Sequence, residues 1–171
     1  MADRDKLGAE GGVLREDGEK VDRMVGILAD GFGGAAGGLA GTALMTVVFF
    51  VAESFGAFSR GSFASLGALA GLDSLLPAAT AGFVLFLLGG MVPWPLLFAS
   101  LEAYLPGRRR PVRGIFFGTA LWTGFAPAFY DGYTGLALVL YIGLTLVAHW
   151  VYGVCLGLVF DYFARRPGSL V

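Results

Sequence analysis

Tyr141, Thr145, His149 and Tyr152 fall at steps of four, four and three in the run LALVLYIGLTLVAHWVYGVCLGLVFDYF. At helical pitch these four side chains share one face. His149 is the single histidine in 171 residues. It lies near the middle of an uncharged stretch long enough to cross a bilayer. An imidazole at that depth is costly and is a functional candidate by default. Three roles are open to it. The first is a neutral ring that fixes helix register by bonding a threonine, a tyrosine or a carbonyl freed near a proline break. The second is a proton relay or ligand-lining group. The third is haem or metal ligation, which would need a ligand from a partner or a second copy, because one histidine and one cysteine (Cys155) complete no site. The baseline expectation is therefore no cofactor.

Other polar groups gather at the same depth. Thr42 and Thr46 lie on one apolar run and Thr119 and Thr123 on another. Turned inward with Tyr141, Thr145, His149, Tyr152 and Trp94, they make a polar core layer. Threonine bonds its own helix backbone at little cost. Histidine does so less well and is expected to reach another helix. Three acids, Glu53, Glu102 and Asp161, fall at the ends of apolar runs. Glu102 and Asp161 are expected to pair with Arg108, Arg109, Arg110, Arg113, Arg165 or Arg166, since boundary charges reach water. The basic loop PGRRRPVR could also meet anionic headgroups. Gly31, Gly33 and Ala36 mimic a dinucleotide fingerprint but lack the strand before and the acid after. No nucleophile–base pair, phosphate loop or metal motif is present, so no catalytic residue is assigned and a non-enzymatic protein is expected.

The elements that must position these groups are membrane helices. The chain is 56% hydrophobic and 15% charged, against roughly 45–50% and about 25% for soluble domains. A net charge of −1 gives no support to nucleic-acid binding. Residues 1–29 mix both charge signs with glycine and are expected to be a disordered cytoplasmic tail, with a short interfacial helix over 21–29. No signal peptide is read there. The fold expected is all-α and polytopic: one domain over residues 30–164, with four spans at about 32–55, 79–101, 114–130 and 136–163. Gly33, Gly37 and Gly41, and likewise Gly34 and Gly38, have the small-xxx-small spacing of closely packed membrane helices. The second span is expected to break at Pro93-Trp94-Pro95, with Trp94 facing other helices. Residues 59–76 are too short to span and read as an interfacial or re-entrant segment. Four crossings put the tail, the basic loop and the 165–171 terminus on one side, leaving Arg60 on the other. Both ends are thus expected in the cytoplasm of a cell-membrane protein.

Gly41-Thr42-Ala43-Leu44-Met45-Thr46 echoes Gly118-Thr119-Ala120-Leu121-Trp122-Thr123. This is the pattern of a duplicated helical hairpin with an insertion near 59–76. The pieces VPWPLLFASLEAYLP, VRGIFFGTALW and LVLYIGLTLVAHWVYGVCLG resemble an uncharacterised family of small four-helix membrane proteins from halophilic archaea. The resemblance maps the family's motif residues to Trp94, Pro95, Glu102, Arg113, Gly114, His149, Tyr152 and Gly153. It implies a loose association with haem-copper terminal oxidases and no assigned activity. The function expected first is an accessory or structural subunit of a membrane complex, possibly respiratory, with the bilayer and other subunits or further copies as partners. A small oligomeric channel or carrier lined by Thr, Tyr and His149 is the alternative. A redox protein using His149 with a partner's ligand is the third.

Overall fold

Backbone groups in an apolar run have no partner in lipid but each other, so such runs fold as helices. The computed structural model describes residues 31–72 and 74–165, and among these there is helix and turn but no strand. In chain order the helices are α1 (Gly31–Ser54), α2 (Phe63–Leu69), α3 (Ala78–Met91), α4 (Pro93–Leu101), α5 (Arg110–Ala128) and α6 (Gly135–Ala164). The expected tail over 1–29, its interfacial helix and Arg166 lie outside the described residues.

Helix α6 is the axis of the molecule, and α5 runs antiparallel beside it. The two helices meet in steps of four. A methyl on Gly157 would strike Arg110, one on Gly114 the Gly153 carbonyl, and one on Gly118 the His149 carbonyl. The next two steps are hydrogen bonds, Trp122 Nε1 to Thr145 Oγ1 at 3.0 Å and Tyr141 Oη to the Ala126 carbonyl at 2.7 Å. Contacting glycines let two backbones touch, which is how helices associate tightly in lipid.

On the other side of α6, α1 presents two rows of glycine. A methyl on Gly33, Gly37 or Gly41 would press Phe163, Val159 or Tyr152 of α6. One on Gly38 would run into the Gly90 carbonyl of α3 and the Pro95 ring. The two copies of the Gly-Thr-Ala-Leu-x-Thr run therefore both set their first glycine against α6. The small-residue spacing of the first span positions two neighbours at once.

The second apolar run is divided. Helix α3 stops at Met91, Val92 adopts φ −121° and ψ −72°, and Pro93 begins α4. Pro93 and Pro95 have no N–H for the preceding turn, so the break falls where the sequence puts it. Beyond it, α4 turns into the bundle. Phe98 is fully buried and lies 5.3 Å from the Phe117 ring of α5 and 5.5 Å from Phe160 of α6. The segment after α1 carries a short helix. A 3-10 turn at Arg60–Ser62 leads into α2, which folds back on α3 where Gly67 and Gly82 admit each other's backbones. Its Phe63 is 2% exposed, because the ring packs on Phe58, Phe83, Phe86 and Phe129.

Among the described residues three helices are long and apolar enough to cross a membrane: Gly31–Ser54, Ala78–Tyr104 taken through its break, and Gly135–Ala164. Four were expected. Helix α5 falls short because Arg110 and Arg113 open it and Gly, Thr and Pro dilute its apolar content. At the far end, burial and then the Asp131 carboxylate push the Tyr133 phenol above its ordinary range. Its ring stacks on Tyr141 at 4.9 Å.

Candidate functional site

The break at Val92 leaves α3 and α5 apart, and a cleft of about 520 Å³ opens between them. Leu85, Phe86 and Gly89 of α3, with Leu66 of α2, form one wall. Ala120, Gly124 and Ala128, four apart on α5, form the other. Gly124 leaves real space, for a methyl there would meet nothing within 4 Å. At one end α3 and α5 are bridged by Phe86 against Phe125 and Phe129, at 6.1 and 6.4 Å. At the other, α4 closes the gap through Phe98 and Phe117. The floor comes from α1 and α6: Thr42, Met45, His149 and Tyr152.

His149 is 3% exposed. Its Nδ1 lies 2.8 Å from the Thr145 carbonyl, one turn back on its own helix. A carbonyl only accepts, so Nδ1 carries the proton and Nε2 holds a lone pair. Among the described residues nothing pairs with Nε2, and His149 lines the cleft. The Phe125 ring backs the imidazole at 4.7 Å and Phe49 at 6.3 Å. The expectation that histidine needs another helix is thereby corrected: its shorter reach to the i−4 carbonyl suffices. Tyr152 is the residue that reaches another helix: its Oη donates to the Gly90 carbonyl of α3, close to the break, at 2.9 Å.

The expected polar layer is only partly assembled. Thr42, Tyr141, Thr145, His149 and Tyr152 are buried. Thr46 and Thr119 are half-buried and Thr123 is exposed, because α5 turns its Gly114–Gly118 stripe toward α6 and so rotates Thr123 outward. All five threonines donate to carbonyls three or four residues back: Thr42 to Gly38, Thr46 to Thr42, Thr119 to Ile115, Thr123 to Ala120 and Thr145 to Tyr141. Thr119 also accepts from Trp150 Nε1 at 2.9 Å. Trp94 departs from the inward position expected of it. It is 40% exposed and lines the cleft, on the side of the first turn of α4 opposite the buried Pro95.

The boundary acids are all paired. Glu53 meets Arg60 at 2.7 Å, Glu102 meets Arg110 at 3.0 Å and Asp161 meets Arg165 at 2.6 Å. The second pair is buried, and Arg110 also donates to the Phe160 carbonyl at 2.7 Å. Arg113 donates to the Gly107 carbonyl at 3.1 Å, while Arg108 and Arg109 are exposed. Among the described residues no three of His, Cys, Asp and Glu converge. Cys155 is half-buried, its thiol 3.9 Å from the Gly37 carbonyl.

Sequence reasoning missed the cleft walls. The signal lay in Ala120, Gly124 and Ala128, a second small-residue stripe on α5 that looks like a packing face but has no helix against it. Residues 28–171 match the model of a family of unknown function, DUF6789, and the chain belongs to that family. No curated protein matches the chain, and no solved structure does.

Proposed function

As the premise of a family without an assigned activity allows, we propose that this chain is a non-enzymatic accessory protein of the cell membrane that holds a lipophilic molecule in the cleft between α3 and α5. The carrying observation is the cleft itself: about 520 Å³, almost wholly apolar, with one buried imidazole on its floor. Small-molecule sites are typically concave, apolar and supplied with a few placed polar groups. A site that opens sideways past Trp94, Ala120 and Gly124 is suited to a ligand arriving from the bilayer. A continuous polar path has less support, since the threonine hydroxyls donate to their own helices and Thr123 points out.

The reading includes four crossings with both ends in the cytoplasm. Helix α5 lies along α6 through five successive contacts, so it shares the depth of a helix that spans. Its arginines at the start and those after α6 then sit on one side. A place beside a respiratory oxidase is supported by the resemblance in Val92–Pro106 and Leu138–Gly157.

The test uses the chain purified in mild detergent. Organic extraction and mass spectrometry should recover a lipophile in fixed ratio from wild type, and Gly124→Leu, whose Cβ meets nothing within 4 Å and whose longer side chain is introduced on the cleft wall, should lose it. Equal content in both would sink the reading. Reporters fused to the two ends should both report the cytoplasm; opposite sides would remove one crossing.

A further inference from the structure

The polar groups facing the cleft are matched in an unusual way. His149 has spent its proton on the Thr145 carbonyl, leaving the Nε2 lone pair. Tyr152 has given its hydroxyl proton to Gly90, and Thr42 has given its own to Gly38 at 2.8 Å. Each retains oxygen or nitrogen lone pairs and none retains a hydrogen to offer. The floor therefore accepts and does not donate. The Trp94 indole N–H is a donor, but it stands beside Gly89 on the α3 wall rather than with the floor residues, and Trp94 is 40% exposed.

From this geometry we infer that the cleft selects lipophilic molecules carrying a hydroxyl, which enters first and donates to His149 Nε2. The inference rests on the reading of the cleft as a ligand site and adds the chemistry of the head group. A carbonyl or ether of the same shape brings only lone pairs to a floor of lone pairs. It loses its water and finds no donor beside His149, and an unpaired polar atom in an apolar site is costly. A hydroxyl meets a nitrogen that has no partner among the described residues. Switching His149 to its other tautomer does not rescue a carbonyl ligand, because the Thr145 carbonyl would then face a bare Nδ1 at 2.8 Å.

The probes are 1-pyrenemethanol, its methyl ether and 1-pyrenecarboxaldehyde, followed by energy transfer from the protein's tryptophans in detergent micelles with free pyrene as the partition control. The alcohol should bind about five- to tenfold more tightly than the ether or the aldehyde, the difference one hydrogen bond makes. His149→Phe should abolish that preference while ether binding persists, which also reports that the variant is folded. Gly124→Leu should remove saturable binding of all three probes. Equal affinities for alcohol and ether that Gly124→Leu abolishes would overturn the donor inference and leave the cleft reading intact. Tighter binding of the aldehyde would overturn it in favour of the Trp94 N–H. Binding that Gly124→Leu does not change, or no saturable binding at all, would overturn the cleft reading and the inference together.

Discussion

Tyr152 illustrates how much one hydroxyl does in a medium without water. Its ring presses Gly41 of α1, its hydroxyl donates to the Gly90 carbonyl of α3, and the residue lines the cleft. Polar contacts between membrane helices average about 0.6 kcal/mol and reach about 1.7. Tyr152→Phe should fall near the upper figure, about 1.5 kcal/mol, because the Gly90 carbonyl has no ready substitute donor in the apolar cleft. Unfolding from micelles by denaturing detergent measures it, and a loss below about 0.3 kcal/mol, well under the average contact, would mean the carbonyl finds another partner. His149 shows the opposite economy. A bond to its own helix fixes its tautomer and leaves Nε2 without a partner among the described residues. No spacing in the sequence announces that choice. Helical periodicity placed Tyr141, Thr145, His149 and Tyr152 on one face, but it could not say which nitrogen of the imidazole would be spent on the Thr145 carbonyl.

Between elements, the α5–α6 hairpin is closely packed, because backbone meets backbone at Gly114 and Gly153. Gly153→Ala would put a methyl into the Gly114 carbonyl, and a carbonyl in a helix cannot rotate away. The expected cost is about 2 kcal/mol, within the range of overpacked cores. Gly143→Ala on the same helix meets nothing within 4 Å and should be neutral or slightly stabilising, since alanine is the better helix former. The pair of variants separates a steric effect from a propensity effect, and equal behaviour would refute the close contact. The same glycine spacing on α1 was legible as tight packing, as was the break at Pro93-Trp94-Pro95. The stripe Ala120–Gly124–Ala128 was not legible as a cleft wall. Small residues lower the local profile of a helix, and whether a neighbour fills the space depends on the course of α3, which the break sets from another part of the chain.

At the scale of the whole molecule, one largely buried ion pair ties three elements at one end of the bundle. Glu102 follows α4, Arg110 starts α5, and Arg110 reaches on to the Phe160 carbonyl of α6. Removing one partner of a buried pair typically costs about 3 kcal/mol or more, chiefly for the charge left behind. Glu102→Ala should therefore cost about 3 kcal/mol, and Glu102→Ala with Arg110→Leu should cost clearly less than the single change. A double variant at least as unstable as the sum would show instead that the two residues act separately. Glycine spacing, proline position, run length and charge at the run ends determined the helical class, the course of each long helix, the point of rupture and the acids that would be paired. These are local properties, governed by the refusal of lipid to solvate backbone or charge. The fold of α2 onto α3, the outward turn of Thr123 and Trp94, the hydrogen spent by each floor residue and the cleft itself were decided by tertiary structure. Each depends on the rotation and divergence of helices far apart in the chain, set by which glycine faces touch, and no single segment contains that information.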